Sequence, residues 1–196
     1  MTETFDKSEL DNKFNWYHEP SNWELKNNQL HIFPDAETDF WQNTHYGFQA
    51  DNGHFLYTEL TGDFILESEV ECDFKHQYDQ AGLMIRVSEE CWIKTSVEFE
   101  PDEPNKLGVV VTNNAFSDWS TQDVGDSMTK FKLQIERTGS DYKVSFFDVE
   151  TNKWIQIRML HLFDMPSVKV GIYACSPKQK LFSAKFNYIK WNQEEL

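Results

Sequence analysis

Glu98 and Glu100 close the segment Trp92 to Glu100, WIKTSVEFE, and two carboxyl groups facing the same way are the minimum equipment for acid–base cleavage of a glycosidic bond. On an extended chain side chains alternate, so this pair leaves one face with Cα atoms about 6.5 to 7 Å apart. Trp92, Lys94 and Ser96 share that face, while Ile93, Thr95, Val97 and Phe99 take the other. In the preceding YDQAGLMIR, residues 78 to 86, Gln80, Gly82, Met84 and Arg86 alternate with Ala81, Leu83 and Ile85. Gln80, Arg86, Trp92, Lys94 and Glu98 thus supply an amide, a guanidinium, an indole, an ammonium and a carboxylate on the polar side of one hairpin. A polyol site needs this set, because a sugar offers an apolar ring face for stacking and hydroxyls for charge-assisted hydrogen bonds.

Two plainer readings compete. An antiparallel sheet ordinarily has one solvated face where Arg–Glu and Lys–Glu pairs are common and contribute little. Trp92 argues against it, since an indole left in water exposes a large apolar area unless a ligand or another segment covers it. For hydrolysis, 33 of 196 residues are acidic, so same-face pairs arise by chance, and Glu100 sits at the strand end beside Pro101. Asp39, Asp51, Asp79 and Asp118 lie in loops from which a second acid could come. His54, between Asn52-Gly53 and Phe55, is the candidate base, or else a residue that stabilises its own turn. Glu98 and His54 are therefore the catalytic candidates, and no Ser or Cys stands in a nucleophile motif.

The elements that must position these groups read as strands. GDFILESEVECDF alternates with period two, Phe64, Leu66, Val70, Cys72 and Phe74 on one face, and KFKLQIER, DYKVSFFDV, KWIQIRML, SVKVGIYAC and FSAKFNYIKW repeat the pattern between turns. WELKNNQLHIF reads as a hairpin around Asn27-Asn28. About eleven or twelve strand candidates at this spacing predict an all-β sandwich or barrel. Two stretches lack alternation. Residues 34 to 55 are rich in aromatics, Phe40, Trp41, Tyr46 and Phe48 among them, and must pack against something. Residues 112 to 128, with Trp119, also read as irregular.

With 196 residues and 39% hydrophobic content the chain predicts one domain, residues 1–196. A formal net charge of −15 repels phosphate backbones and anionic lipid, which excludes nucleic acid and the membrane as expected partners. There is no signal-peptide pattern and no apolar window of spanning length. Cys72, Cys91 and Cys175 are an odd number without C-x-x-C spacing, which predicts idle thiols in a reducing compartment and a cytoplasmic location. Six scattered His residues predict neither metal nor cofactor; the oxygens of QADNGHF would suit a calcium loop, but an Asn-Gly turn explains them better. Neither the sugar nor the oligomeric state is encoded in any motif.

TDFWQNTHYGF, DNGHF, YDQAGLMIR, WIKTSVEFE, VVTNNAFSDWS and GIYACSP together resemble the regulation-of-enolase family, domain of unknown function 1349, in order and spacing over residues 38 to 177. The resemblance implies a concanavalin A-like jelly-roll sandwich of two antiparallel sheets, similar to the accessory sandwich of some family 43 glycosidases. In such a fold the concave sheet would hold a saccharide. Gln80, Arg86, Trp92, Lys94 and Glu98 would then form the ligand-binding face, with Trp41, Tyr46, His54 and Trp119 as loop walls. The expected function is carbohydrate or polyol binding. A glycan-acting hydrolase or lyase using Glu98 is one alternative, and a protein-interaction or metabolic-regulatory module is another.

Overall fold

In the computed structural model of the protein, residues 1–193 are described. The strands are β1 (Thr2–Glu3), β2 (Asn15–Tyr17), β3 (Asn22–Lys26), β4 (Gln29–Phe33), β5 (Phe40–Trp41), β6 (Ala50–Asp51), β7 (His54–Thr61), β8 (Phe64–Asp73) and β9 (Gln80–Ser88). They continue with β10 (Cys91–Glu98), β11 (Asn105–Asn113), β12 (Phe116–Val124), β13 (Lys130–Thr138), β14 (Asp141–Asp148), β15 (Lys153–His161), β16 (Ser167–Cys175) and β17 (Ser183–Gln193). One sheet runs β15-β14-β13-β8-β17-β4-β3, with β1 added against β17. The other runs β12-β11-β10-β9-β16-β7-β2, and β5 pairs with β6 as a separate ribbon. All of these ladders are antiparallel. No helix among the described residues is long and apolar enough to cross a membrane.

The alternation of apolar residues explains the sandwich. Leu66 and Val70 on β8, Leu133 and Ile135 on β13 and Phe186 on β17 face Leu83, Ile85, Ile93, Val97 and Ile172 of the other sheet, all buried. Each such side chain contributes about 1.5–3 kcal/mol by leaving water. The β3–β4 hairpin turns through Asn27 and Asn28, both at positive φ (55° and 58°), as a two-residue turn of matching twist requires.

Two expectations are revised. Residues 112 to 128 are not irregular throughout: Phe116–Val124 forms the edge strand β12, in register with β11 from Asn113↔Phe116 to Asn105↔Val124. Its alternation is hidden because an edge strand buries little on either face. Strands β1, β2, β5 and β6, of two or three residues each, are too short to carry periodicity, so more strands exist than the alternation suggests.

Residues 34 to 55 fold onto the outward face of the seven-stranded sheet. There Phe40 and Trp41 bury a second apolar cluster with Phe55, Met84, Trp92, Val110, Tyr173 and Cys175. Gly53 permits the approach, because a Cβ at this position would stand 2.4 Å from the Phe40 ring and 2.5 Å from Cys175 Sγ. Gly53→Ala should cost about 1–3 kcal/mol by overpacking and loosen the ribbon, read as a lower urea midpoint and faster proteolysis within residues 34 to 55. An unchanged midpoint would show that the ribbon does not seat on Cys175 in solution.

Candidate functional site

The ribbon covers one end of the outward sheet face and leaves the other open. Between them lies a cleft of about 580 Å³, open to solvent and lined by Asp39, Trp41, Tyr46, Phe48, Tyr78, Lys94, Glu98, Val110 and Trp119. Its walls are aromatic. Trp41 is fixed by its Nε1–H, which donates to the Thr44 carbonyl (2.9 Å), and Tyr46 lies 5.2 Å from it, centroid to centroid. Tyr46 is 55% exposed and Trp119, on β12 opposite Val110, is 37% exposed. Trp119 lies over Gly108, whose missing side chain makes room: a Cβ there would meet the indole Nε1 at 2.8 Å. Tyr78 closes another side from a left-handed backbone conformation, φ 72°, held by its N–H donating to the Phe99 carbonyl (2.8 Å). Such strain in a non-glycine residue concentrates at binding sites.

The floor is polar. Lys94 is 4% exposed and its Nζ donates to Asp39 Oδ1 at 2.9 Å. Burial alone would lower the Lys94 pKa, but the Asp39 carboxylate beside it more than offsets that and holds it above its ordinary value. Glu98 is half-buried at the base of the cleft and burial pushes its carboxyl up to about 8, against the lowering influence of Lys94. Gln80 orients it: Nε2 donates to the Tyr78 carbonyl (3.2 Å) and to Glu98 Oε2 (2.9 Å), while Oε1 accepts from the Tyr173 hydroxyl (3.0 Å). Among the described residues no group of three or more His, Cys, Asp or Glu is placed to hold a metal ion.

Four residues expected at the site, Trp92, Arg86 and Gln80 on the strand face and His54 as a loop wall, lie elsewhere. Trp92 is 0% exposed, its ring packed 6.0 Å from Phe40 and its Nε1–H donating to the Glu89 carbonyl (3.1 Å); the ribbon covers it, so no guest reaches it for stacking. Arg86 is likewise roofed over, because Nη1 and Nη2 each donate to an Asp51 oxygen at 2.7 Å. His54 is buried with both ring nitrogens used: Nδ1 donates to the His18 carbonyl (2.6 Å) and Nε2 accepts from the Asp35 N–H (3.0 Å). Burial lowers its pKa, and with both nitrogens engaged and the ring outside the cleft lining it is a structural strut and not the base. Gln80, 1% exposed, acts through Glu98 and does not line the cleft.

Trp41, Tyr46, Lys94, Glu98 and Trp119 do come together in the lining. Of the loop acids, Asp39 reaches the same cleft. Asp51 is paired with Arg86, Asp79 is buried against Ser176 Oγ (2.6 Å), and Asp118 pairs with Arg158 (2.8 Å). Glu100 accepts from Gln77 Nε2 (2.8 Å) outside the lining. Sequence reasoning missed Tyr78, Phe48 and Val110. The aromatic density of residues 34 to 55 was a signal for Phe48; nothing local marked the other two.

Two antiparallel sheets packed face to face, with an aromatic-walled cleft on one outer face, make this an all-β sandwich. The chain belongs to the family described as Protein of unknown function (DUF1349), which matches residues 16–194. It is 29% identical over 177 residues to Regulation of enolase protein 1 of Saccharomyces cerevisiae, spanning 90% of this chain and 87% of that protein. The crystal structure of a functionally unknown protein from the same yeast superposes with a TM-score of 0.86 at 27% identity, covering 94% and 98% of the two chains. The fold also matches xylan beta-1,4-xylosidase from Bacillus halodurans (TM-score 0.78, 14% identity, 98% of this chain and 39% of that one). Carbohydrate binding module CBM66 from Bacillus subtilis matches as well (0.61, 13%, 94% and 99%).

Proposed function

We propose that this protein binds a saccharide or related polyol in the cleft between the β5–β6 ribbon and strands β10 to β12. One observation carries this reading: exposed rings of Tyr46, Phe48 and Trp119 surround a recessed floor of Lys94, Asp39 and Glu98. Rings of this kind take the apolar face of a pyranose, and the floor supplies donors and acceptors for its hydroxyls. The fold it shares with a carbohydrate-binding module supports the same reading. Stacking falls to Trp119, Tyr46 and Phe48 in place of the covered Trp92, with Trp41 backing Tyr46.

Affinity on the order of micromolar to millimolar follows, because a shallow polar floor must be desolvated before it binds. Titration calorimetry with neutral oligosaccharides tests it: Trp119→Ala, on the edge strand, should abolish the heat while the chain stays folded at the assay temperature, checked by its urea midpoint. Undiminished heat in that variant, or none with any glycan in the wild type, sinks the reading. A cytoplasmic location is part of the proposal, supported by three buried free thiols.

A second reading is favoured by Glu98 alone. A carboxyl that stays protonated near neutrality beside the Asp39 carboxylate is the division of labour a glycan hydrolase or lyase uses, acid and base set apart by environment. Chromogenic glycosides turned over by the wild type and not by Glu98→Gln would support it; equal background rates in both leave binding.

A further inference from the structure

Lys94 is the cation among the described residues lining the cleft, and it arrives already neutralised. Its partner is locked in place: Asp39 Oδ1 also accepts the Phe40 N–H (2.7 Å), and the Asp39 N–H donates to Asn52 Oδ1 (3.0 Å). The other nearby cations stay out of the lining: Lys178 stands in solvent over the Tyr78 ring, 5.2 Å from its centroid. Lys106, the cross-strand neighbour of Glu98, turns to Asp123 (2.8 Å) and Glu103 (3.3 Å), and Arg86 is closed by Asp51. The remaining titratable groups around Glu98 bring no positive charge: Glu100 two residues beyond β10, Tyr78 from the turn before β9, and Tyr173 and Cys175 from β16, the last two kept neutral by burial.

We propose that the cleft selects uncharged saccharides and rejects those bearing carboxylate or phosphate, because the cation on its floor is matched by Asp39 and Glu98 stands beside the pair as a further oxygen ligand for hydroxyls. This deepens the saccharide reading and rests on it. The tyrosine-anchored Gln80 amide occupies Glu98 Oε2, which leaves Oε1 to face a guest. Near neutral pH that oxygen belongs to a carboxylic acid and donates to a sugar hydroxyl. An anionic guest would bury a second negative charge next to Asp39 with no unpaired cation among the lining residues to meet it. Above about pH 8 Glu98 itself becomes a repelling, acceptor-only group.

The test is calorimetry on the full chain at pH 6.5 with matched pairs of one backbone: cello-oligosaccharide against its C6-oxidised cellouronate, and manno-oligosaccharide against oligomannuronate. The neutral member of a pair should bind at least about tenfold tighter. Asp39→Asn, which leaves Lys94 uncompensated, should narrow or reverse the ratio. Raising the pH to 9 should weaken the neutral ligand in the wild type and leave Glu98→Gln unaffected. Uronates binding the wild type as tightly as their neutral partners overturn the selectivity while keeping the saccharide reading. No binding by any member, nor by any other neutral or uronate glycan titrated in the same way, overturns both. Should Asp39→Asn fail to fold, the wild-type ratio still decides.

Discussion

Arg86→Ala should lower stability by about 3–5 kcal/mol, the largest single loss expected outside the main core. The guanidinium is 4% exposed, grips Asp51 through two parallel bonds of 2.7 Å, donates to the Tyr17 hydroxyl (3.1 Å) and lies 4.3 Å from the Tyr17 ring centroid. It joins β9 to β6 and β2, so it rivets the ribbon to the sheet. Removing it strands Asp51 in a half-buried site with only the Tyr17 hydroxyl (2.6 Å) to satisfy it. Lys cannot replace it, since the planar fork and the stacking are both lost. Urea unfolding reads the effect. In a double-mutant cycle Arg86→Ala with Asp51→Ala should recover much of the loss, because the uncompensated charge is gone. A penalty below about 1 kcal/mol would mean the pair is exposed in solution, and with it the Trp92 beneath.

Glu98→Gln should flatten the pH dependence of stability above pH 5. The carboxyl takes up its proton near its ordinary value of 4.5 in the unfolded chain and near 8 in the folded one. Between those values the native state holds one more proton than the unfolded state, so this group's contribution is complete at the acid end and is lost as pH rises through the window. The slope is at most about 1.4 kcal/mol per pH unit. Gln has the same shape, donates and accepts where the neutral acid did, and never ionises. The wild type should therefore lose stability relative to the variant from pH 5 to 9, measured by unfolding at each pH. Parallel curves would show that Glu98 is ionised at neutrality, which would also remove the reason to consider it a general acid.

Much of the fold was legible locally. The inward residues of β8, β9, β10, β13 and β16 alternate because one side of each strand faces the opposite sheet, and the period of two survives in β9 and β10 because their outer face, though covered, carries polar groups. β12 escaped notice for the converse reason: an edge strand with both faces half in water has no burial to alternate. The residues of the candidate site were only partly legible. Lys94 and Glu98 follow from alternation along β10, and Trp41, Tyr46 and Trp119 from aromatic density in segments that alternation could not explain. Alternation does not say what lies over a face, so Trp92 and Arg86, two residues on the same polar side as Lys94 and Glu98, looked equally available.

By itself, then, the sequence determined the long alternating strands, the inward and outward sense of their side chains, and the chemistry carried by the outer face of β9 and β10. Tertiary structure decided which part of that face is open. Phe40 and Asp51, distant in sequence from the hairpin, close over Trp92 and Arg86, while Asp39 from the same segment stops at Lys94 and leaves a cleft beyond. The reason is physical. A side chain's direction is set by its own φ and ψ, but its access to solvent is set by whichever remote segment gains most by burying its rings there, and that competition is between surfaces brought together only by folding.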